Sequence, residues 1–236
     1  MISKKVRVLF KISGAALMGN RDFVHDCETI KSIVTGIKSV YDTGVQICIV
    51  VGGGNIYRGI ESDRLCMERS IVDHMGMLGT IINALALQSI LEQTGIDTRV
   101  QSAISMTSIC EPFIKRRAIR HIEKNRIVIF AAGIGSPLFS TDTAAVLRAV
   151  EMKCDCLLKA TNVPGIFNTD PKKTPEAFKY NTINYSTVIE KNLGIMDTAA
   201  IAIAQEHSLP IKVFSVKSNQ NFLKVLNNKG EFTLIH

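Results

Sequence analysis

Lys11, Asp142 and Lys159 are the residues of this 236-residue chain whose types and settings suit the transfer of an anionic group. Moving a phosphoryl group between two anions demands cations at the transferring group and little covalent chemistry, because catalysis there is chiefly positioning and charge stabilisation. Lys11 follows Val8, Leu9 and Phe10, and Lys159 follows Leu157 and Leu158, so each stands near the end of an apolar run. A lysine in a buried strand is expensive unless paired; the alternative is an edge strand from which the ammonium reaches water. Two neighbouring ammonium groups repel, and a carboxylate between them would keep both protonated. Asp142 is the candidate for that role, although it or Thr141 could instead cap a helix beginning near Thr143. Neither a Walker A lysine motif nor a kinase glycine-rich loop is present.

Residues 47–51 are apolar and open into Gly52, Gly53, Gly54 and Asn55, with Arg58 close behind. Successive residues without a Cβ let backbone N–H groups approach an anion, and an arginine can complete the cradle with a bidentate fork. Glycines at a strand-to-helix turn also have a purely conformational reading. Ser13 and Gly14 follow Lys11 at the carboxyl end of a first strand in which Val6, Val8, Phe10 and Ile12 share one face. Open α/β sheets bind ligands at such ends. A third loop carries Gly133, Ile134, Gly135, Ser136, Pro137, Leu138, Phe139, Ser140 and Thr141, whose hydroxyls and amides suit a small polar ring. A fourth carries Thr161 and Asn162, and then Gly165, Phe167, Asp170 and Pro171 make a turn that either holds an adenine or ribose or simply turns.

The elements that must hold these loops alternate along the chain. Ile30, Ile33, Val34, Ile37, Val40 and Tyr41 keep helical spacing up to Gly44, which closes a βαβ unit. Strands are expected at 45–51, 99–101, 127–131, 156–160 and 211–216, helices at Thr198–Glu206 and Asn221–Leu226, and a short closing strand at 232–235. The pattern predicts an α/β fold, a three-layer αβα sandwich around a mainly parallel central sheet. No linker-like stretch divides the chain, so residues 1–236 read as a single domain.

The formal charge of +7 and pI near 9.1 suit anionic partners. Clustering is poor outside 115–126, which reads as a solvated helix face, so small nucleotides fit this balance better than nucleic acid. The six cysteines show no framework spacing and read as reduced thiols of the cytosol. Cys154 and Cys156 lack the spacing of a zinc site and are expected within a strand. The N-terminus shows no cleavable signal. Residues 75–91 are uncharged, yet Thr80, Asn83, Gln88 and Ser89 interrupt them, which favours a helix buried in the core or against another subunit over a membrane span.

Taken in order, Lys11-Ile12-Ser13-Gly14, Gly52 to Asn55 with Arg58-Gly59, Asp73-His74-Met75-Gly76-Met77, Gly135 to Asp142, Leu158-Lys159-Ala160-Thr161 and Met196-Asp197 resemble the bacterial uridylate kinases of the amino acid kinase superfamily over almost the whole chain. The resemblance implies transfer of the ATP γ-phosphoryl group to UMP, giving UDP and ADP with Mg²⁺, in a cytoplasmic homohexamer. By matching positions it implies that Lys11 and Lys159 contact the transferring group and Asp142 orders them. It puts Gly53, Arg58, Asp73 and the loop Ile134, Gly135, Ser136, Pro137, Leu138, Phe139, Ser140 and Thr141 around UMP. Lys11, Ser13, Gly14, Gly54, Arg58, Thr161, Asn162, Phe167 and Asp170 would lie along ATP, and no residue is assigned to a metal. Asp73 would accept hydrogen bonds from the ribose, the alternative being a first-turn dipole partner of its helix. Ala15, Ile134, Ser136 and Pro164 depart from the residues usual at those positions. An acetylglutamate-type or carbamate-type kinase and a nucleotide-binding regulator are the competing readings.

Overall fold

Runs dense in Val, Ile and Leu form the middle of a sheet, because parallel strands are covered on both faces and branched side chains pack well there. The computed structural model describes residues 5–19, 24–57, 66–169, 174, 176–217 and 219–236. Its strands are β1 (Arg7–Ile12), β2 (Gln46–Val51), β3 (Thr98–Ser102), β4 (Glu111–Pro112), β5 (Ile127–Ala131), β6 (Cys156–Thr161), β7 (Thr182–Ile183), β8 (Ile211–Ser215) and β9 (Thr233–Ile235). They form one sheet in the order β4-β3-β5-β2-β1-β6-β8-β9-β7, in which β9 runs antiparallel to β8 and the other pairs are parallel.

The helices are α1 (Cys27–Tyr41), α2 (Arg69–Gln93), α3 (Lys115–Glu123), α4 (Thr141–Glu151), α5 (Tyr185–Glu190), α6 (Thr198–Glu206) and α7 (Asn221–Leu226). Alternation along β1 divides them into two layers. Val8, Phe10 and Ile12 pack with α1, α2 and α7, as Ile33, Leu87 and Phe222 illustrate. Leu9 points the other way, toward Ala145 of α4 and Ile201 of α6. The expected three layers are present.

Chain direction matters most at β1. From β1 the chain crosses through α1 to β2 and onward to β5, then returns through α4 to β6 on the opposite side of β1. At such a reversal the connections diverge and leave a crevice at the carboxyl ends of the strands. The β1–β6 register pairs Lys11 with Lys159 at that point.

Some expectations shift. α4 starts at Thr141 rather than near Thr143, because Ser140 caps it by accepting from the N–H groups of Asp142 and Thr143. Asp142 is thereby a first-turn residue, not the cap. Cys154 precedes β6, and only Cys156 is within it. Contact with the Cys48 sulfur and burial push the Cys154 thiol far up, and burial lifts Cys156 to about 11, so both stay neutral thiols. α2 is long and apolar enough to cross a membrane by length and composition, yet Ile81, Ala84, Leu87 and Leu91 are buried in the core. In α3, Lys115, Arg116 and Arg117 are exposed while Ala118 and Ile122 are buried, the solvated face expected of 115–126.

Candidate active site

Lys11 and Lys159 lie two residues beyond Leu9 and Leu157, so both side chains leave the sheet on the face covered by α4 and α6. The first turn of α4 meets them there. Asp142 Oδ1 lies 2.8 Å from Lys11 Nζ, and its Oδ2 lies 2.8 Å from Lys159 Nζ. Lys159 also donates to the carbonyl of Ile195. Both lysines are 6% exposed, which excludes the edge-strand reading of Lys159.

Burial works against all three charges, and mutual pairing decides the outcome. It would raise the Asp142 carboxyl, but Lys11 and Lys159 hold that group below the usual carboxylate range. Desolvation lowers Lys159 to about 8, even with Asp142 opposing it. The trio therefore keeps an excess positive charge near neutrality, and its carboxylate is an anchor rather than a proton acceptor.

A second carboxylate anchors the anchor. Asp197 caps α6 by accepting from Ala200 N at 2.8 Å, and it accepts from Thr143 Oγ1 at 2.7 Å and from the Ser140 hydroxyl. It thus joins the N-termini of α4 and α6. In the sequence Asp197 stands out only as half of the Met196-Asp197 pair, because its role exists only when these helices are neighbours.

The glycine loop comes against the first loop from the side. Gly52 N donates to Ile12 O at 2.8 Å. A Cβ on Gly14 would lie 2.8 Å from Gly52 O and 2.9 Å from Gly54 N, so the two turns touch backbone to backbone. A Cβ on Gly53 would lie 2.3 Å from Gly76 O of α2. Close approach to that helix is what Gly53 provides. Thr80, buried on α2, accepts from Ala132 N at 2.7 Å and so holds the end of β5 beside the same helix.

Between these walls lies a cleft of about 540 Å³, large enough for a small ligand. Gly53, Gly54, Asp73, Ser136, Leu138, Phe139, Ser140 and Thr141 line it, together with Tyr57, Arg69, Thr80, Thr143 and Asp197, which were not expected there. Ile134, Gly135 and Pro137 do not. Gly135 instead has φ +86°, and its Cβ position lies 3.2 Å from Ala103 O, so it shapes the loop from behind. Asp73 is not a first-turn dipole partner. It pairs with Arg69 Nε at 3.0 Å and accepts from Leu138 N at 2.9 Å, holding a residue whose φ is +71°. Leu138 and Phe139 are exposed at the mouth.

Thr161 ends β6, and its hydroxyl accepts from Val163 N at 3.1 Å. Asn162 and Phe167 line two separate, smaller clefts of about 380 and 340 Å³. Ser13 sits at the turn where Lys11's strand ends, its carbonyl accepting from Ala16 N. Arg58 and Asp170 lie outside the described residues.

An open, mainly parallel sheet whose reversal point carries two lysines bridged by one carboxylate is the frame of a phosphotransferase, and the chain belongs to the amino acid kinase family, whose model matches residues 6–215. Within that family its likeness is to uridylate kinases. The uridylate kinase of Rickettsia bellii is 58% identical over 232 residues, covering 98% of this chain and 97% of its own. The crystal structure of UMP kinase from Ureaplasma parvum superposes with a TM-score of 0.93 at 35% identity, covering 98% of this chain and 99% of that one. UMP kinase from Bacillus anthracis gives 0.94 at 37% identity, with 98% and 95% covered.

Proposed function

We propose that this chain is a UMP kinase that transfers the γ-phosphoryl group of ATP to UMP, releasing UDP and ADP. The observation that carries the reading is the Lys11–Asp142–Lys159 bridge beside the 540 Å³ cleft. An oxygen of the UMP phosphate attacks the γ-phosphorus, the bond from that phosphorus to the β,γ-bridging oxygen breaks, and ADP leaves with the electron pair. The second pKa of a phosphate monoester is about 6, so the acceptor is already ionised at pH 7 and needs no base. That agrees with a carboxylate held anionic between two ammonium groups. Lys11 and Lys159 neutralise charge on the transferring group, where preorganised cations act most strongly.

In this reading the acceptor occupies the cleft of Gly53, Asp73, Ser136 and Leu138 to Thr141, with the phosphate toward the glycine loop. The donor enters across Ser13, Gly14 and Gly54, and its base reaches toward Asn162 and Phe167. Arg58 and Asp170 are assigned by resemblance alone. Mg²⁺ belongs to the substrate, bound to the triphosphate. Among the described residues no group of three or more His, Cys, Asp or Glu side chains stands together to hold an ion, and Asp142 is engaged by two lysines. A single domain over 1–236, a cytoplasmic setting and a homohexamer complete the proposal, with the exposed Ile71, Leu78 and Ile82 of α2 as part of the subunit contact.

Product formation from ATP, Mg²⁺ and a panel of UMP, CMP, dUMP, AMP, GMP and acetylglutamate tests this. Selective UDP formation is the expected result. Turnover of acetylglutamate alone would keep the lysine pair and overturn the acceptor.

A further inference from the structure

Asn83 is fully buried in the middle of α2 and is not among the residues that line the cleft. Its Nδ2 donates to Gly52 O at 2.6 Å and to Asn55 Oδ1 at 2.7 Å. Its Oδ1 accepts from Asn55 Nδ2 at 3.1 Å and faces His25 Nε2 at 2.7 Å. A carbonyl oxygen only accepts, so the atom facing Gly52 O is the amide nitrogen, and His25 donates through Nε2 to the oxygen left over. Two donors and two lone pairs are all used, a saturated set in a site shielded from water.

The partners explain what this amide does. Gly52 and Asn55 are the first and last residues of the glycine loop. Asn55 also donates to Val24 O at 2.8 Å, and its Oδ1 stands 2.3 Å from where a Cβ on Gly14 would be. One side chain thus joins the glycine loop directly, the Lys11–Gly14 turn through Asn55, and the segment entering α1 through His25 and Asn55. Gly53 presses on Gly76 of the same helix. The loop is held to α2 at both ends and the middle.

We infer that Asn83 is a positioning residue for phosphate recognition: through its paired amide with Asn55 it holds the backbone N–H groups of the glycine loop in the geometry that receives the acceptor's phosphate. The inference rests on the functional reading above, which gives the glycine loop to that phosphate. Asn83 never meets the ligand. Its effect is therefore confined to ligands that carry the group the loop receives, and a nucleoside without phosphate is indifferent to it.

Calorimetric titration of the full chain with UMP and with uridine, in the wild type, Asn83→Ala and Asn55→Ala, tests this. Asn55 is only partly buried, so Asn55→Ala decides the matter if Asn83→Ala fails to fold. The expected result is a UMP dissociation constant raised by about tenfold or more, the scale of one lost loop hydrogen bond or greater, with that of uridine unchanged. Equal weakening of UMP and uridine would reduce Asn83 to general structural support and overturn the inference. So would variants that keep the full advantage of UMP over uridine. A wild type that binds uridine as tightly as UMP overturns the functional reading itself, and the inference with it.

Discussion

Replacing Asp142 by Asn removes one negative charge and little volume, and it leaves Lys11 and Lys159 facing each other across a neutral amide. Lys159 already sits at about 8, with burial as the largest cause and Asp142 as the main opposing influence. Its side chain is 7% exposed and that of Lys11 8%, so water offers little relief. Stranding a buried charge by deleting its partner costs about 3–5 kcal/mol. At about 1.36 kcal/mol per pH unit this moves Lys159 down by roughly two to four pH units, to about 4–6. Near 5, about one Lys159 in a hundred is protonated at pH 7, a loss that matches the roughly 10²–10³-fold cost of removing one preorganised donor. In the wild type, kcat/KM should be level between the second pKa of the acceptor phosphate, about 6, and the Lys159 value, and fall as pH rises through about 8, where the ammonium is lost. In Asp142→Asn the same limb should lie below neutrality, so that kcat/KM climbs about tenfold on acidification from 8 to 7 and goes on rising until the acceptor phosphate begins to protonate near 6. The assay is coupled ADP release across that range with both nucleotides in their working concentrations. A variant that keeps the wild-type limb near pH 8, or one depressed equally at every pH between 6 and 8, would refute the account of Asp142 as the group that keeps Lys159 charged.

Lys159→Ala should lower kcat by about 10²-fold or more and leave UMP affinity near the wild-type value, because the cation acts on the transferring group; initial rates at varied UMP check it, and a loss in affinity alone contradicts the role. Asp73→Ala frees Leu138 N and Arg69 on the acceptor side of the cleft, so the KM for UMP should rise by about tenfold while that for ATP stays within about twofold. Equal changes in both constants would remove Asp73 from the acceptor site. Gly53→Ala brings a Cβ within 2.3 Å of Gly76 O, a backbone atom of α2, and overpacking of this kind costs about 1–3 kcal/mol. Chemical denaturation should read that loss; unchanged stability would mean that the glycine loop does not rest on α2.

The layers were legible because periodicity reports burial directly. Val8, Phe10 and Ile12 on one side of β1 and Leu9 on the other define two covered faces whatever the neighbours are, and β-branched runs bounded by glycine end as strands in most settings. The start of α4 lies two residues before the position expected from the sequence, since Ser140, Thr141 and Asp142 are all competent caps and local chemistry does not rank them. Thr80 and Asn83 were visible as polar interruptions of an uncharged helix. That signal weighed only against a membrane, although polar groups in a buried helix also mark hydrogen bonds made to something else.

From the chain alone come the two lysines at strand ends, the glycine loop, the charge balance that favours anionic partners and the sandwich that carries them, because each depends on residue types and short-range spacing. Only the folded molecule decides that β1 and β6 are neighbours in a register that pairs Lys11 with Lys159, that the first turn of α4 inserts Asp142 between them, that Asp197 joins two helices, and that Asn83 grips both ends of the glycine loop. Those partners lie from 17 positions apart in sequence, for Asp142 and Lys159, to 148 for Lys11 and Lys159. Electrostatic pairing and saturated hydrogen bonding act over a few ångströms between buried groups, and which groups come that close is set by strand order and helix packing, not by any local pattern of residues.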